Sequence, residues 1–283
     1  MHSSEVGLLQ QNSVKKMRGY PLYRVHDNRF SPARYPMHSV LRSAIAAVFL
    51  VVSTASHATV DFSGCPQFFA NAKPPILTTH PTDRALCYDA FAVLHSGESK
   101  TPVFVAEKLN RQSIADANEK RTDRFFADAR LRAAERANLE DYKGSGFDRG
   151  HMAPAGDMPT AQAMAQSFSL ANMVPQAPEH NRGTWAKSVE KATRKYAARA
   201  AGDVYVITGP VFEPSIAQSP SIGAGRVHVP TYLFKLVYDK SKNRAWAYWQ
   251  LNDDATRGSR PIRGRLRKRN LKYVKALAAT VAA

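Results

Sequence analysis

The sequence predicts an α+β fold in which a largely antiparallel central sheet is flanked by helices. Two observations carry this. The stretches VYVITGPVF, RVHVPTYLFKLVYD and RAWAYWQLN, rich in Val, Tyr, Phe and Trp, alternate well enough to be strands. An earlier pair, LCYDAFAVLHSG and TPVFVAEKLN, alternates apolar and polar residues around a Ser-Gly turn and reads as a hairpin. Helix-like stretches lie between these long strands, which is the mixture expected of an α+β domain.

In chain order, residues 1–36 are polar, without clear periodicity, and read as an untranslated or unstructured extension. Residues 37–58 carry Arg42, an apolar run from Ala44 to Val52 and a small-residue ending at Ala58, the pattern of a cleaved signal peptide. The apolar run is short for a membrane span, so a signal anchor is the weaker alternative. This stretch predicts a secreted or periplasmic protein without stable membrane association after processing. Residues 59–260 form the expected catalytic domain. Within it, the loop rich in Pro and Thr from Lys73 to Asp83 precedes the hairpin. Asp123 to Asn138 sets Phe125, Phe126, Ala129, Leu131 and Ala133 among many charges, a weakly amphipathic helix or an ordered arm. Gly144 and Gly146 then mark a tight bend. The segment opening at HNRGTW is expected to be helical to about Ala200. Residues 261–283 are a basic tail, with Arg263, Arg265, Arg267, Lys268, Arg269 and Lys272 and no acid to balance them there.

With 283 residues and 44% hydrophobic composition, the chain can bury a real core. The formal net charge of +17 points to a polyanionic partner, most simply nucleic acid. Residues 1–58 hold seven Lys/Arg against two Asp/Glu, so +17 falls to +12 without them and the basic character survives. The two cysteines, Cys65 and Cys87, read as one disulfide. A two-cysteine metal site would lack neighbouring ligands.

The chemistry concentrates in two blocks, FDRGHMAPAGD from Phe147 to Asp157 and HNRGTW from His180 to Trp185. Cutting a phosphodiester with water needs a proton acceptor of near-neutral pKa, charge stabilisation on the phosphorus centre, and help for the departing oxygen. His151 is the candidate base. Arg149 offers a forked donor pair to a phosphate oxygen. Gly150 between them permits a backbone approach that a side chain would block. Asn181 suits a hard cation, because its amide oxygen binds without adding negative charge; the competing role is a helix N-cap. Mg²⁺ keeps most of its waters, so one direct protein ligand is chemically reasonable.

These blocks resemble the DNA/RNA non-specific endonuclease family of ββα-metal, or His-Me finger, nucleases, over about Tyr88 to Asn252. The resemblance implies a Mg²⁺-dependent enzyme, with Mn²⁺ or another divalent cation as the alternative, cutting DNA and RNA to leave 5′-phosphate and 3′-hydroxyl ends. It implies His151 as general base, Arg149 as a phosphate contact and Asn181 as the direct metal ligand. Asn172 of NMVPQ matches a supporting asparagine. Glu190 matches a glutamate holding metal-bound water, Arg194 an arginine that helps neutralise the phosphate, and Asp148 an acid that ties down the turn. Glu190 lies one residue further from Asn181 than the family's commoner spacing. On an ideal helix that residue swings about 100°, to the side opposite Asn181. The helix is therefore expected to absorb the extra residue between Trp185 and Glu190 as a π-bulge or widened turn. The tail after Pro261 matches nothing in the pattern.

Other candidates are weaker. His180 reads as a helix-start residue, and His95 and His228 as packed or surface residues in strands. Trp185, Trp246 and Trp249 read as core rather than base-stacking residues. Ser145 and Ser188 lack the acid and histidine arrangement of a nucleophilic serine. The competing function classes are an exported nucleic-acid-binding protein without catalysis and a membrane-anchored nuclease.

Overall fold

A computed structural model describes residues 60–258. The expected extension, signal peptide and basic tail (1–36, 37–58 and 261–283) lie outside the described residues. Ten strands follow in order: β1 (Asp83–Cys87), β2 (Phe91–Ser96), β3 (Thr101–Leu109), β4 (Asp148–His151), β5 (Met173–Gln176), β6 (Val204–Val211), β7 (Ser221–Ile222), β8 (Val227–His228), β9 (Tyr232–Asp239) and β10 (Arg244–Leu251). The helices are α1 (Arg111–Asp116), α2 (Leu139–Tyr142), α3 (Ala161–Ser167), a π-helical segment (His180–Glu190) and α4 (Lys191–Ala197).

Six strands form the central sheet, in the order β1-β2-β3-β6-β9-β10, every neighbouring pair antiparallel. The fold is therefore α+β, as the alternation predicts. Two readings of the chain are corrected: RVHVPTYLFKLVYD, read as one strand, divides into β8 of a separate two-stranded ladder with β7 and β9 of the central sheet, and the expected hairpin over residues 86–110 is a three-stranded meander. Tyr88 to Ala90 turn the chain between β1 and β2, inside the apolar run that reads as one strand. Between Asp123 and Asn138 the chain is an ordered arm, helical only in a 3₁₀ turn at Ala133–Glu135.

Side chains alternate across the sheet and both faces are covered. Phe91, Val93, Val105, Val204, Val206 and Val237 pack under the layer that carries Met152, Phe168, Trp185 and Val189. The intervening positions Leu94, Phe104, Ala106, Tyr205, Ile207, Phe234 and Leu236 pack against Phe62, Phe68 and Phe69 of the amino-terminal described segment. Cys65 and Cys87 are joined, Cα atoms 5.7 Å apart, and tie that segment to the end of β1. β4 and β5 form a separate two-stranded ladder on the first face, and the π-helical segment follows β5 closely. This two-strands-then-helix unit positions the candidate site.

Candidate active site

His151 ends β4, with its Cα opposite Met173 of β5. The loop that follows is pinned by Asn172. Its Oδ1 accepts from the Ala153 amide, and its Nδ2 donates to the carbonyls of Ala153 and Ser167, all at 2.9 Å. Asn172 is completely buried with every polar atom committed, so it holds the exit of His151 in place without facing the cavity.

Gly150 is needed for packing. A Cβ there would lie 2.1 Å from Oε1 of Gln176, which crosses over the ladder. Gln176 in turn donates from Nε2 to Nδ1 of His180 at 3.2 Å, and the Nε2 of His180 meets Oε1 of Gln250 at 2.8 Å. Gln250 gives its own Nε2 to the Gly258 carbonyl, so its oxygen must accept and His180 is the Nε2–H tautomer. His180 is thus a buried link between β5, β10 and the start of the π-helical segment, consistent with its reading as a helix-start residue.

A cavity of about 270 Å³ opens between the β4 loop and the π-helical segment, lined by Arg121, Arg149, His151, Asn181, Arg182 and Glu190 among others. His151, Arg149, Asn181 and Glu190 are therefore brought together from separate parts of the chain. Arg194 and Asn172 stand behind the wall. The Arg194 guanidinium is paired with the buried Asp157 and lies against Gly156, where a Cβ would come within 2.8 Å of its Nη2. The notion that Arg194 itself meets phosphate is replaced by a supporting placement: its charge is spent on Asp157, and through the loop it braces the cavity floor.

The helix carrying Asn181 and Glu190 is widened as the spacing requires. The Lys191 amide donates to the Ala186 carbonyl five residues back. The segment is not one regular helix, since Gly183 falls outside helical geometry (φ −97°, ψ −105°), yet Asn181 and Glu190 line the same cavity. An α-helix would have placed them opposite each other.

Electrostatics differ sharply among these groups. His151 is 8% exposed, and its Nε2 is buried without a hydrogen-bond partner. Phe125 and Phe168 pack on its ring at 5.8 and 5.1 Å. Burial first, and then the charges of Arg121 and Arg149, push its pKa down to about 3, so the imidazole is neutral and can accept a proton. The two arginines are held on the same rings, Arg149 over Phe125 at 4.1 Å and Arg121 over Phe168 at 4.9 Å. Glu190 is raised to about 7, chiefly by burial, with Asp157 adding to the rise and Lys235 and Arg194 opposing it. Lys235 is buried beneath the site, donating to Thr208 Oγ1 at 2.7 Å. Asp148 accepts from Asn181 Nδ2 at 2.9 Å, and a carboxylate can only accept, so the amide is oriented with its nitrogen on Asp148. A cation at Asn181 would be met by Oδ1.

An amide oxygen and a carboxylate on one wall, with room for water, suit a hard cation that keeps most of its hydration. Among the described residues there is no group of three His, Cys, Asp or Glu side chains able to hold a metal. Two lining residues escaped the sequence reading, Arg121 and Arg182. Arg121 lies thirty residues before His151 in an irregular exposed arm, with no local motif to mark it. Arg182 stands beside Asn181 in the second block, and its adjacency was the available signal.

Residues 73–276 match the family model described as DNA/RNA non-specific endonuclease. Human mitochondrial endonuclease G is 36% identical over 160 residues, covering 54% of this chain and 51% of the relative. The mitochondrial nuclease EXOG of Xenopus laevis is 35% identical over 163 residues, covering 55% and 45%. The chain thus spans about half the length of these relatives. A crystal structure of the EndoG/EndoGI complex, described as showing the mechanism of EndoG inhibition, superposes with a TM-score of 0.58 and 26% identity, covering 72% of this chain and 85% of that one. These findings overturn the secreted or periplasmic location read from residues 37–58. Endonuclease G, EXOG and the nuclease of Saccharomyces cerevisiae are each named as mitochondrial.

Proposed function

Because the chain belongs to the DNA/RNA non-specific endonuclease family, we propose that it is a divalent-metal-dependent endonuclease that hydrolyses phosphodiester bonds of DNA and RNA with little sequence preference, leaving 5′-phosphate and 3′-hydroxyl ends. Asn181 through its Oδ1, with Glu190 beside it, would hold the cation, for which Mg²⁺ suits the oxygen donors present. When bound, it supplies charge stabilisation at the phosphate and the departing oxygen.

The residues of the chain do the rest. His151, whose imidazole lines the cavity, takes a proton from the attacking water. Arg149 and Arg121 bind phosphate oxygens, and their stacking on Phe125 and Phe168 orients the guanidinium planes before substrate arrives. Asn172, Asp148, Gly150 and Arg194 are positioning residues. Contacts of this kind read phosphate, which carries no sequence information.

The observation that carries the reading is a neutral imidazole, His151, lining the same cavity as an asparagine whose amide orientation is set by Asp148. His151→Ala is expected to lower plasmid nicking at least about 100-fold while retaining most of the affinity for nucleic acid. EDTA should abolish nicking by the wild type. A His151→Ala variant as fast as wild type, or nicking untouched by EDTA, rejects the mechanism.

A further inference from the structure

We propose that Arg182 is a substrate-binding residue that leaves Asp148 to grip a phosphate flanking the scissile one when nucleic acid enters the cavity. This rests on the nuclease reading above. Arg182 lines the cavity alongside His151 and Asn181, and its side chain is 68% exposed. In the absence of substrate it is bidentate on Asp148, with Nε on Oδ2 at 2.8 Å and Nη2 on Oδ1 at 2.5 Å. Water and salt screen the pair from the exposed Arg182 side, while the bidentate geometry and the mostly buried Asp148 make it firmer than an ordinary surface pair. A phosphate offers the same fork two oxygens and a matching charge.

Its departure leaves the rest of the site intact. Asp148 still accepts from Asn181 Nδ2, so the amide of Asn181 stays oriented. Asp148 itself is only 18% exposed at its side chain and lies on β4, paired with Gln176. Arg149 rests on the Phe125 ring, and Arg121 lies over Phe168 while its Nε donates to the exposed Asp123 at 2.6 Å. Arg182 Nε and Asn181 Nδ2 meet on the same Asp148 Oδ2, so Arg182 stands directly beside the group that Asn181 addresses. A neighbouring phosphate on the same strand is the ligand that fits this offset. The carboxylate acts as a parking place that keeps the fork ordered and close to the cavity while no substrate is bound.

The test is fluorescence anisotropy of a short DNA duplex with the full chain in EDTA, across a series of salt concentrations, so that no turnover is needed. Arg182→Gln should weaken binding about fivefold at low salt and make the slope of log K against log salt shallower by about 0.9. Arg182→Lys should keep the wild-type slope, because the charge is retained. Mg²⁺ affinity, read by calorimetry, should stay within about twofold of wild type in both variants, because the Asp148 to Asn181 bond does not depend on Arg182. A wild-type slope in Arg182→Gln overturns the proposal, and so does a wild type that binds no duplex. If that slope is unchanged while Mg²⁺ affinity falls tenfold, Arg182 is a clamp on the metal asparagine instead. An active enzyme with an unaltered slope rejects only the role of Arg182, whereas a wild type that binds duplex but never nicks it rejects the nuclease reading alone.

Discussion

Glu190 shows how one residue joins the helix to the chemistry. Its carboxyl faces a cavity beside Asp157 and is largely cut off from water, which raises its pKa to about 7 in the metal-free protein. The sign of the consequence follows from which form binds a cation. Only the carboxylate does, so below pH 7 each Mg²⁺ taken up must displace a proton. Mg²⁺ affinity should therefore fall about tenfold for each pH unit below 7 and level off above it. Calorimetry between pH 6 and 8 checks this, and Glu190→Gln should bind Mg²⁺ more weakly with that dependence removed. Binding that is flat across the range would show that Glu190 takes no part in holding the cation. His151 lies at the other extreme: burial and the two nearby arginines keep it neutral and so free to accept a proton, though as a weaker base than an exposed imidazole.

Among the elements, the π-helical segment and the β4–β5 ladder share the work. The extra residue between Asn181 and Glu190 would set them on opposite sides of a regular α-helix, and the wide-turn segment with its break at Gly183 brings both to one cavity. The ladder brings His151 to that face, and Asn172, at the entry to β5, locks the loop after it. Asn172→Ala should strand the amide of Ala153 and two carbonyls in a dry interior. Leaving such groups unsatisfied costs about 1–3 kcal/mol each where water cannot reach them, and urea denaturation should show a loss of about 2–4 kcal/mol. Activity should fall as well, through displacement of His151 rather than loss of a substrate contact, so the affinity for nucleic acid in EDTA should be nearly unchanged. A variant of wild-type stability would mean that the loop is held by packing alone.

Across the whole molecule, the sheet separates two cores, and the Phe62, Phe68 and Phe69 side is held down by the bond between Cys65 and Cys87. The two cysteines are 22 positions apart, so closing that loop restricts the unfolded chain by roughly 3 kcal/mol. A Cys65→Ala, Cys87→Ala double variant should lose about that much by guanidinium denaturation and keep its nuclease activity, because the disulfide side of the sheet is opposite the cavity. Equal stability of the two proteins would place the segment's anchorage in its aromatic contacts. The sequence by itself determined the antiparallel sheet and most of its strands, the pairing of the only two cysteines, the DRGH turn and the need for a widened helix, because each is written in local periodicity, composition or spacing. It misled on location, since a short apolar run with a small-residue ending is compatible with more than one destination. Tertiary structure alone decided that Arg121 and Arg182 line the cavity, that Arg194 spends its charge on Asp157, and that Lys235 lies buried beneath Glu190. Those facts depend on which distant side chains converge and how far water is excluded around them, and neither is encoded in any short window of the chain.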